Sequence, residues 1–377
     1  MNFKTLRRAS VLLVLVFLLQ ACEKTSEVKQ YPLHYSDATM GTSFTVKVSE
    51  LPGSISSSEL RQQIKQLLVQ LDGQMSTYKQ DSELSIINQD KSNDWLAVSA
   101  PLYEVLKEAK NMYELSKGAF DITVDPLVNL WGFGPDPMSF VAPDEALIEQ
   151  HRLKLGTQYL LFNDEAQQIK KQQVDLYLDL SAIAKGYAVD QVGLLLEEQG
   201  IVDYMVEIGG ELRLKGHNNR HKPWRIAVEK PAAQQRMIQK VLPLSDISLA
   251  TSGDYRNFFE ENGVRFSHTI DPRVGKPITH KLASVTILSD TTMKADALAT
   301  ALMVLGPEQG HQLAEKEKIA ALFIERGLNH AKVHDNIFKH NKISKLHLLG
   351  YALQKIEIID NCPVAFISLS EKEMQQF

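Results

Sequence analysis

Cysteine is almost missing from this chain: Cys22 and Cys362 are the only two. No CxxC and no Cys/His spacing of the zinc type occurs, which excludes a structural zinc motif. If Cys22 is acylated, no intrachain disulfide can form, and the fold must stand on its apolar core even in an oxidising compartment. Charge of one sign is also missing, since 41 Lys and Arg against 46 Asp and Glu leave a formal charge of −5. With no dense basic patch, a nucleic-acid surface is excluded. Internal repeats and low-complexity tracts are absent, and no apolar run reaches ordinary transmembrane length.

What is present reads as globular. The 377 residues suit one large domain or two ordinary ones, and hydrophobic and charged residues make up 44% and 23%. The N-terminus reads as a targeting segment. Lys4, Arg7 and Arg8 precede the apolar run Val11 to Leu19, and Leu19-Gln20-Ala21-Cys22 follows. A basic start, a short apolar stretch and a small residue before the cut make a secretory signal over residues 1–21. Cys22 after Ala21 resembles a bacterial lipobox, in which that Cys is lipidated and becomes the mature N-terminus. Two or more acyl chains hold a protein firmly on a membrane surface. Residues 22–34 then read as a lipidated tether.

The chain looks organised around Asp179-Leu180-Ser181-Ala182-Ile183-Ala184-Lys185-Gly186-Tyr187. Val174, Leu176, Leu178 and Leu180 alternate with polar residues, as in a half-buried strand. Val189, Val192, Leu195 and Leu196 then give a helical stripe. A strand-to-helix junction built of Ser and Ala lets a ligand approach the backbone and aims helix N–H groups at it, which suits an anion. Asp179 and Lys185 add opposite charges there. A solvated loop with a salt bridge fits the same residues.

Elsewhere the pattern alternates between strands and helices without βαβ regularity, which predicts an α+β fold. Tyr35–Val48 reads as a strand pair turning at Met40-Gly41. Ser58 is expected to cap a helix carrying Leu60, Ile64, Leu67, Leu68 and Leu71. The Met75–Tyr78 and Asp81–Asn88 segments read as polar loop, and a further helix follows Pro101 and ends at Lys117-Gly118. Val206–Glu211 reads as a strand ending in a Gly turn. Leu249–Tyr255 reads as a small polar turn, and Arg265–Ile270 as a strand carrying His268. The last strong helix runs from Asp290 to Leu305, with Asp290 or Thr291 as its N-cap. It carries Asp296 and Thr300 at i and i+4 on one face, among alanines that let it pack closely. Two hard oxygen ligands so placed suit Mg²⁺ or Ca²⁺, although an Asp at the solvent edge has the same spacing. His268 is the obvious base to test, and a packed histidine is the plainer reading.

Taken together, eight motifs in order resemble the ApbE family, the FAD:protein FMN transferases. They are Met40-Gly41-Thr42, the Ser/Tyr and Glu-Leu-Ser…Asn segment, Gly118-Ala119-Phe120-Asp121, Asp179-Leu180-Ser181 with Ala184-Lys185-Gly186-Tyr187, Glu207-Ile208-Gly209-Gly210, Ser252-Gly253-Asp254-Tyr255, Ser267-His268 with Ile270-Asp271-Pro272, and Ala295 to Thr300. The resemblance covers about Thr39 to Leu305. It implies a domain over residues 35–328 in mixed, largely antiparallel sheets with packed helices, the flavin lying in a cleft between them. It implies FAD as substrate, contacted at Met40, Tyr78, Ala119, Phe120, Asp121, Asp179, Lys185 and Ile270. It implies Mg²⁺ held by Asp296, Thr300 and the backbone carbonyl of Ala182, with Ala184 the alternative, and His268 as general base. The implied partners are flavoproteins with an acceptor Thr, such as subunits of membrane redox complexes. With the leader, it implies a lipid-anchored protein on the periplasmic side of a bacterial inner membrane. A hydrolase splitting FAD into FMN and AMP, or a flavin carrier, fits the same fold. Residues 329–377 match none of these motifs and read as a divergent C-terminal tail.

Overall fold

The structure, a computed structural model, describes residues 30–134, 142–229, 238–254, 258–261, 264–326, 332–335 and 366–367. The expectations for the signal segment, Cys22 and Tyr255 lie outside these residues. One eight-stranded sheet forms the spine. In spatial order its strands are Leu33–Thr39, Thr42–Val48, Tyr204–Ile208, Glu211–Lys215, Ile247–Gly253, Leu282–Ser289, Ala320–Glu325 and Lys332–Asp335. Every adjacent pair runs antiparallel. This is the α+β arrangement that the alternating sequence pattern predicts.

Helices Ser57–Met75, Ala100–Ser116, Ala184–Glu198 and Thr292–Lys316 cover one face of the sheet. Their apolar stripes, including Leu60, Ile64, Leu102, Leu106, Val189, Val192, Leu298 and Leu302, bury against Val46, Val206, Ala250 and Val285. Each fully buried side chain of this size contributes about 1.5–3 kcal/mol. The opposite face carries a smaller layer from strands Trp224–Glu229 and Ile238–Leu244, with Trp224, Ile226 and Leu244 against Leu214, Leu249 and Leu322. Phe366–Ile367, from the C-terminal tail, adds a strand to that layer beside Trp224–Glu229. Among the described residues, no helix is long and apolar enough to cross a membrane.

Four local expectations are corrected. Residues 176–180 alternate in burial, with Leu176, Leu178 and Leu180 inside, yet they join no strand ladder. Their backbone is bonded otherwise: the buried Asn88 amide donates to Leu178 O and accepts from Leu178 N, both at 2.8 Å, and Asp179 N donates to Ile122 O at 2.7 Å. A side-chain amide thus mimics a strand partner. Glu83–Gln89 is a short helix and not a loop, because the Ser82 hydroxyl caps Ser85 N. The first long helix is capped by Ser56 in a capping box with Glu59, and not by Ser58. Ile247–Gly253 is a strand, its small polar residues paired with Ser284–Ser289.

The last helix begins where the sequence places it, with Thr291 as N-cap, and continues to Lys316 past a break at Gly306 (φ 76°) and Pro307. Its first turn lies against the first turn of Ala184–Glu198. A Cβ on Gly186 would stand 2.5 Å from Thr292 O and 2.8 Å from Met293 Cα. Both are backbone atoms, so no side chain can swing aside. Gly186→Ala therefore forces the helices apart. The overpacking cost, about 1–3 kcal/mol, exceeds the ~1 kcal/mol that Ala gains over Gly in a helix. A lower urea midpoint for the variant is the expected result; an unchanged midpoint contradicts the close approach.

Candidate functional site

The site begins with two helix starts that cap each other. Ala184–Glu198 has no side-chain cap of its own at Ile183. Asp296, from the long helix, supplies the missing acceptor, its Oδ2 taking Gly186 N at 3.1 Å. In return Asp190 accepts from Thr292 N and Met293 N, both at 2.9 Å. Two positive helix ends meet here, a setting that favours anions. Asp190 is neutralised by Arg213 at 3.1 Å, which also reaches Glu197.

Asp296 has no such private partner. Lys185 Nζ stands 3.7 Å from Asp296 Oδ2 and 3.5 Å from Glu211 Oε1, and donates to Ser181 O at 2.9 Å. Two buried carboxylates thus share one ammonium. Burial and the neighbouring Asp296 push the Glu211 carboxyl up to about 8, although Lys185 pulls the other way. Burial likewise raises Asp296, against Lys185 and the Gly186 N–H. For Lys185 burial lowers the pKa, but Asp296 and Glu211 outweigh it and keep the ammonium charged. Both acids shift up beside a cation because the cost of burying their charge outweighs the pull of the shared ammonium. Glu211 Oε2 is buried and has no hydrogen-bond partner.

The sheet turns frame this centre. Met40 and Gly41 form a two-residue hairpin with φ of 46° and 73°, the geometry of a primed turn. A left-handed Met is uncommon and costs about 1–2 kcal/mol. Gly209-Gly210 turns the neighbouring hairpin, and Gly209 N donates to Ser43 O at 3.0 Å. A Cβ on Gly209 would lie 3.3 Å from both Lys185 Cδ and Glu211 Oε2, and its φ of 62° favours glycine independently. Ser252-Gly253 ends a strand on the same edge, and the buried Asp254 beyond it pairs with Arg326.

Asp179 lies next to the junction. Its Oδ1 accepts from Ser181 N at 2.6 Å and from Ser181 Oγ at 2.5 Å, fixing the bend. Burial and the adjacent Asp179 push Asp125 up to about 7. Asp121 is used internally: its buried Oδ1 accepts from Thr123 N, Thr123 Oγ1 and Thr157 Oγ1 at 2.9, 2.7 and 2.8 Å. Phe120 and Ile270 are buried in apolar clusters and Ala119 is buried beside Phe120 in the chain, so their side chains are committed to packing. Tyr78 is 77% exposed. Ala182 and Thr300 are half-buried. His268 follows the strand Val264–Ser267, half-buried and edge-on to Phe133 at 6.4 Å. Asp271 is bound by Arg273 through both carboxylate oxygens, at 2.9 and 2.6 Å.

The structure therefore joins Lys185, Asp296 and the Ser181–Gly186 bend beside the Met40 hairpin. His268 and Ile270 stand on a separate aromatic wall with Trp131, Phe133 and Phe266. Sequence reasoning passed over Glu211, Asp125 and Asp190. Glu211 carried one signal, a carboxylate following two glycines at the start of an apolar strand. Among the described residues, no three His, Cys, Asp or Glu side chains converge as a metal cage. A cation here would draw on hydroxyl and backbone oxygens as well.

A fold of antiparallel sheet and helices that gathers an acidic pair, a lysine and two helix starts defines a class suited to phosphate-bearing ligands. The chain belongs to the ApbE family, whose model matches residues 40–323. It is 47% identical over 319 residues to an FAD:protein FMN transferase of Vibrio cholerae, covering 85% of this chain and 94% of that one. Against the Escherichia coli protein of the same description, identity is 36% over 324 residues, covering 85% and 92%. Among solved structures, the flavin transferase ApbE from Vibrio cholerae matches with a TM-score of 0.76 at 45% identity, covering 81% of this chain and 98% of that one. The apo flavinyl transferase ApbE of Pseudomonas stutzeri matches with a TM-score of 0.73 at 39% identity, covering 80% and 94%.

The Asp125 shift predicts a pH dependence. The folded protein holds a proton at Asp125 that the unfolded chain releases at its ordinary value of 3.8, so stability falls as pH rises from there through about 7. Asp125→Asn removes the charge while keeping an acceptor for Asn129 Nδ2. The variant's gain in Tm over the parent should be larger at pH 8 than at pH 5, by roughly 2–4 °C for each kcal/mol relieved. An equal Tm difference at both pH values contradicts the assignment.

Proposed function

We propose that this protein transfers the FMN moiety of FAD to a threonine hydroxyl of flavoproteins, releasing AMP, with Mg²⁺ in the site. The observation that carries this reading is the contact of Asp296 with the Ser181–Gly186 bend. Its relatives are FAD:protein FMN transferases along nearly their whole length. The donor set fits a hard divalent cation: two buried carboxylates share a single ammonium, and one carboxylate oxygen is unpartnered. Asp296, Thr300 and the Ala182 carbonyl would hold it. Mg²⁺, when bound, neutralises pyrophosphate charge and eases the departure of AMP.

The chain's own groups supply the rest. Lys185 keeps its charge beside both acids and offers a cation to a phosphate oxygen. Converging helix starts favour the same anion. In the transfer, the threonine Oγ bonds to the FMN phosphorus and the phosphorus–oxygen bond to AMP breaks. The bridging oxygen leaves with AMP, and the threonine proton passes to His268. Met40, Tyr78, Ala119, Phe120, Asp121, Asp179, Lys185 and Ile270 would contact the flavin nucleotide. The basic start, the short apolar run and Leu19-Gln20-Ala21-Cys22 support cleavage after Ala21 and lipidation of Cys22. The protein is then anchored on the periplasmic face of an inner membrane.

Incubation with FAD, Mg²⁺ and an acceptor flavoprotein should give a covalent FMN adduct by mass spectrometry. Asp296→Ala should lose it by at least ~10²-fold while keeping its circular dichroism. AMP release without adduct would instead identify a hydrolase, and no AMP at all a flavin carrier.

His268→Ala should retain FAD binding, read by fluorescence quenching, and slow adduct formation by about 10²–10⁴-fold, the range for losing a general base. Loss of FAD binding would make the histidine a packing residue.

A further inference from the structure

The cation reading assigns Asp296, Thr300 and a backbone carbonyl, and leaves Glu211 without a role. Yet Glu211 is 4% exposed, and its two oxygens differ. Oε1 faces Lys185 Nζ at 3.5 Å; Oε2 is fully buried with no donor from the protein. A buried carboxylate oxygen without a partner is costly, more so for a charged group. A hydrophobic side chain at the start of this strand would avoid that cost.

Three features define the surroundings of Oε2. Glu211 opens its strand directly after the Gly209-Gly210 turn, so its side chain sits at the sheet edge where Lys185 and Asp296 meet. Gly209 keeps a side chain off this oxygen: a Cβ there would stand 3.3 Å from Oε2 and 3.0 Å from Thr42 Cγ2. Lys185, 24% exposed, spans the two carboxylates at 3.5 and 3.7 Å, distances that leave each acid only partly paired.

We infer that Glu211 is a further carboxylate ligand of the divalent cation, completing with Asp296 a two-carboxylate cradle whose charge Lys185 only half offsets. This rests on the Mg²⁺ reading of the same site. Mg²⁺ is commonly held by one or two carboxylates, with waters and substrate phosphates in its other positions. With both carboxylates ionised on the cation, Lys185 and the divalent ion leave the filled centre at a net +1, which attracts pyrophosphate.

The test is Mn²⁺ binding to the full-length protein without FAD, followed by electron paramagnetic resonance of free Mn²⁺. The parent should bind one ion, and Asp296→Asn should lose it. If Asp296→Asn binds as the parent does, the cation reading fails. If Asp296→Asn fails to bind but Glu211→Gln binds as the parent does, the role of Glu211 alone is overturned. The inference expects Glu211→Gln to weaken Mn²⁺ on the order of 10- to 100-fold. Lys185→Met separates ligation from positioning of the lysine. In that background Glu211→Gln should still weaken Mn²⁺ by a similar factor; no further loss would mean that Glu211 acts only through Lys185. Should Glu211→Gln not fold, Glu211→Asp, which keeps the charge but withdraws the oxygens by one methylene, should also bind more weakly, and parent-like affinity in it overturns ligation.

Discussion

The exchange of carboxylates between two helix starts sets the geometry of this protein. Asp296 satisfies an N–H of the Ala184–Glu198 helix, and Asp190 satisfies two in the Thr292–Lys316 helix. Hydrogen bonds to charged groups contribute about 1.5–3 kcal/mol each. The bonds to Gly186 N and Thr292 N are buried where the two helices meet. Without this reciprocal capping, one N–H at the start of the first helix and two at the start of the second would need other partners. The two helices would then have no reason to begin at the same point.

That common origin explains how distant parts of the chain form one site. The sheet is antiparallel throughout its described pairs, so consecutive hairpin turns fall on its edges. Met40-Gly41 and Gly209-Gly210 lie on the edge facing the helix starts, and Lys185 packs its stem against the second. Helices and strands thus deliver Lys185, Asp296 and Glu211, while Asp179 comes from the irregular stretch before the bend. The aromatic wall of Trp131, Phe133 and Phe266 is held separately, by Trp131 Nε1 donating to Gly275 O at 2.9 Å and by ring stacking at 5.6 Å. His268 belongs to that wall and not to the charged centre.

Local patterns were legible wherever one element determined the outcome. The Met40-Gly41 hairpin follows from alternating strands around a turn. Thr291 and the spacing of Asp296 and Thr300 follow from helical periodicity. Burial of Leu176, Leu178 and Leu180 follows from alternation, but their lack of a strand partner does not, because Asn88 replaces it from 90 residues away in sequence. The strand at Ile247–Gly253 was hidden by its Ser, Thr and Gly content. Neighbours on both sides and burial of Leu249 and Ala250 overrode that weak propensity. Glu211 was illegible for another reason. Its significance depends on Lys185 and Asp296, which come from two other elements, and no periodicity in its own strand encodes that meeting.

The buried aspartates show what separates support from chemistry. Asp121 accepts three hydrogen bonds from neutral donors around one turn, and its Oδ1 is saturated. Asp190 accepts two backbone N–H groups and is balanced by Arg213. Asp296 accepts one N–H at 3.1 Å and shares an ammonium 3.7 Å away with a second carboxylate. Residue type and burial are nearly the same in all three; the supply of donors is not. A protein that buried Asp296 only for stability would be expected to satisfy it as it satisfies Asp121, since an unmet buried charge costs several kcal/mol. The shortfall persists where two helix starts, a left-handed Met and a Gly-Gly turn converge. Strain and unmet charge in one place are the mark of a site whose remaining partner arrives as a ligand.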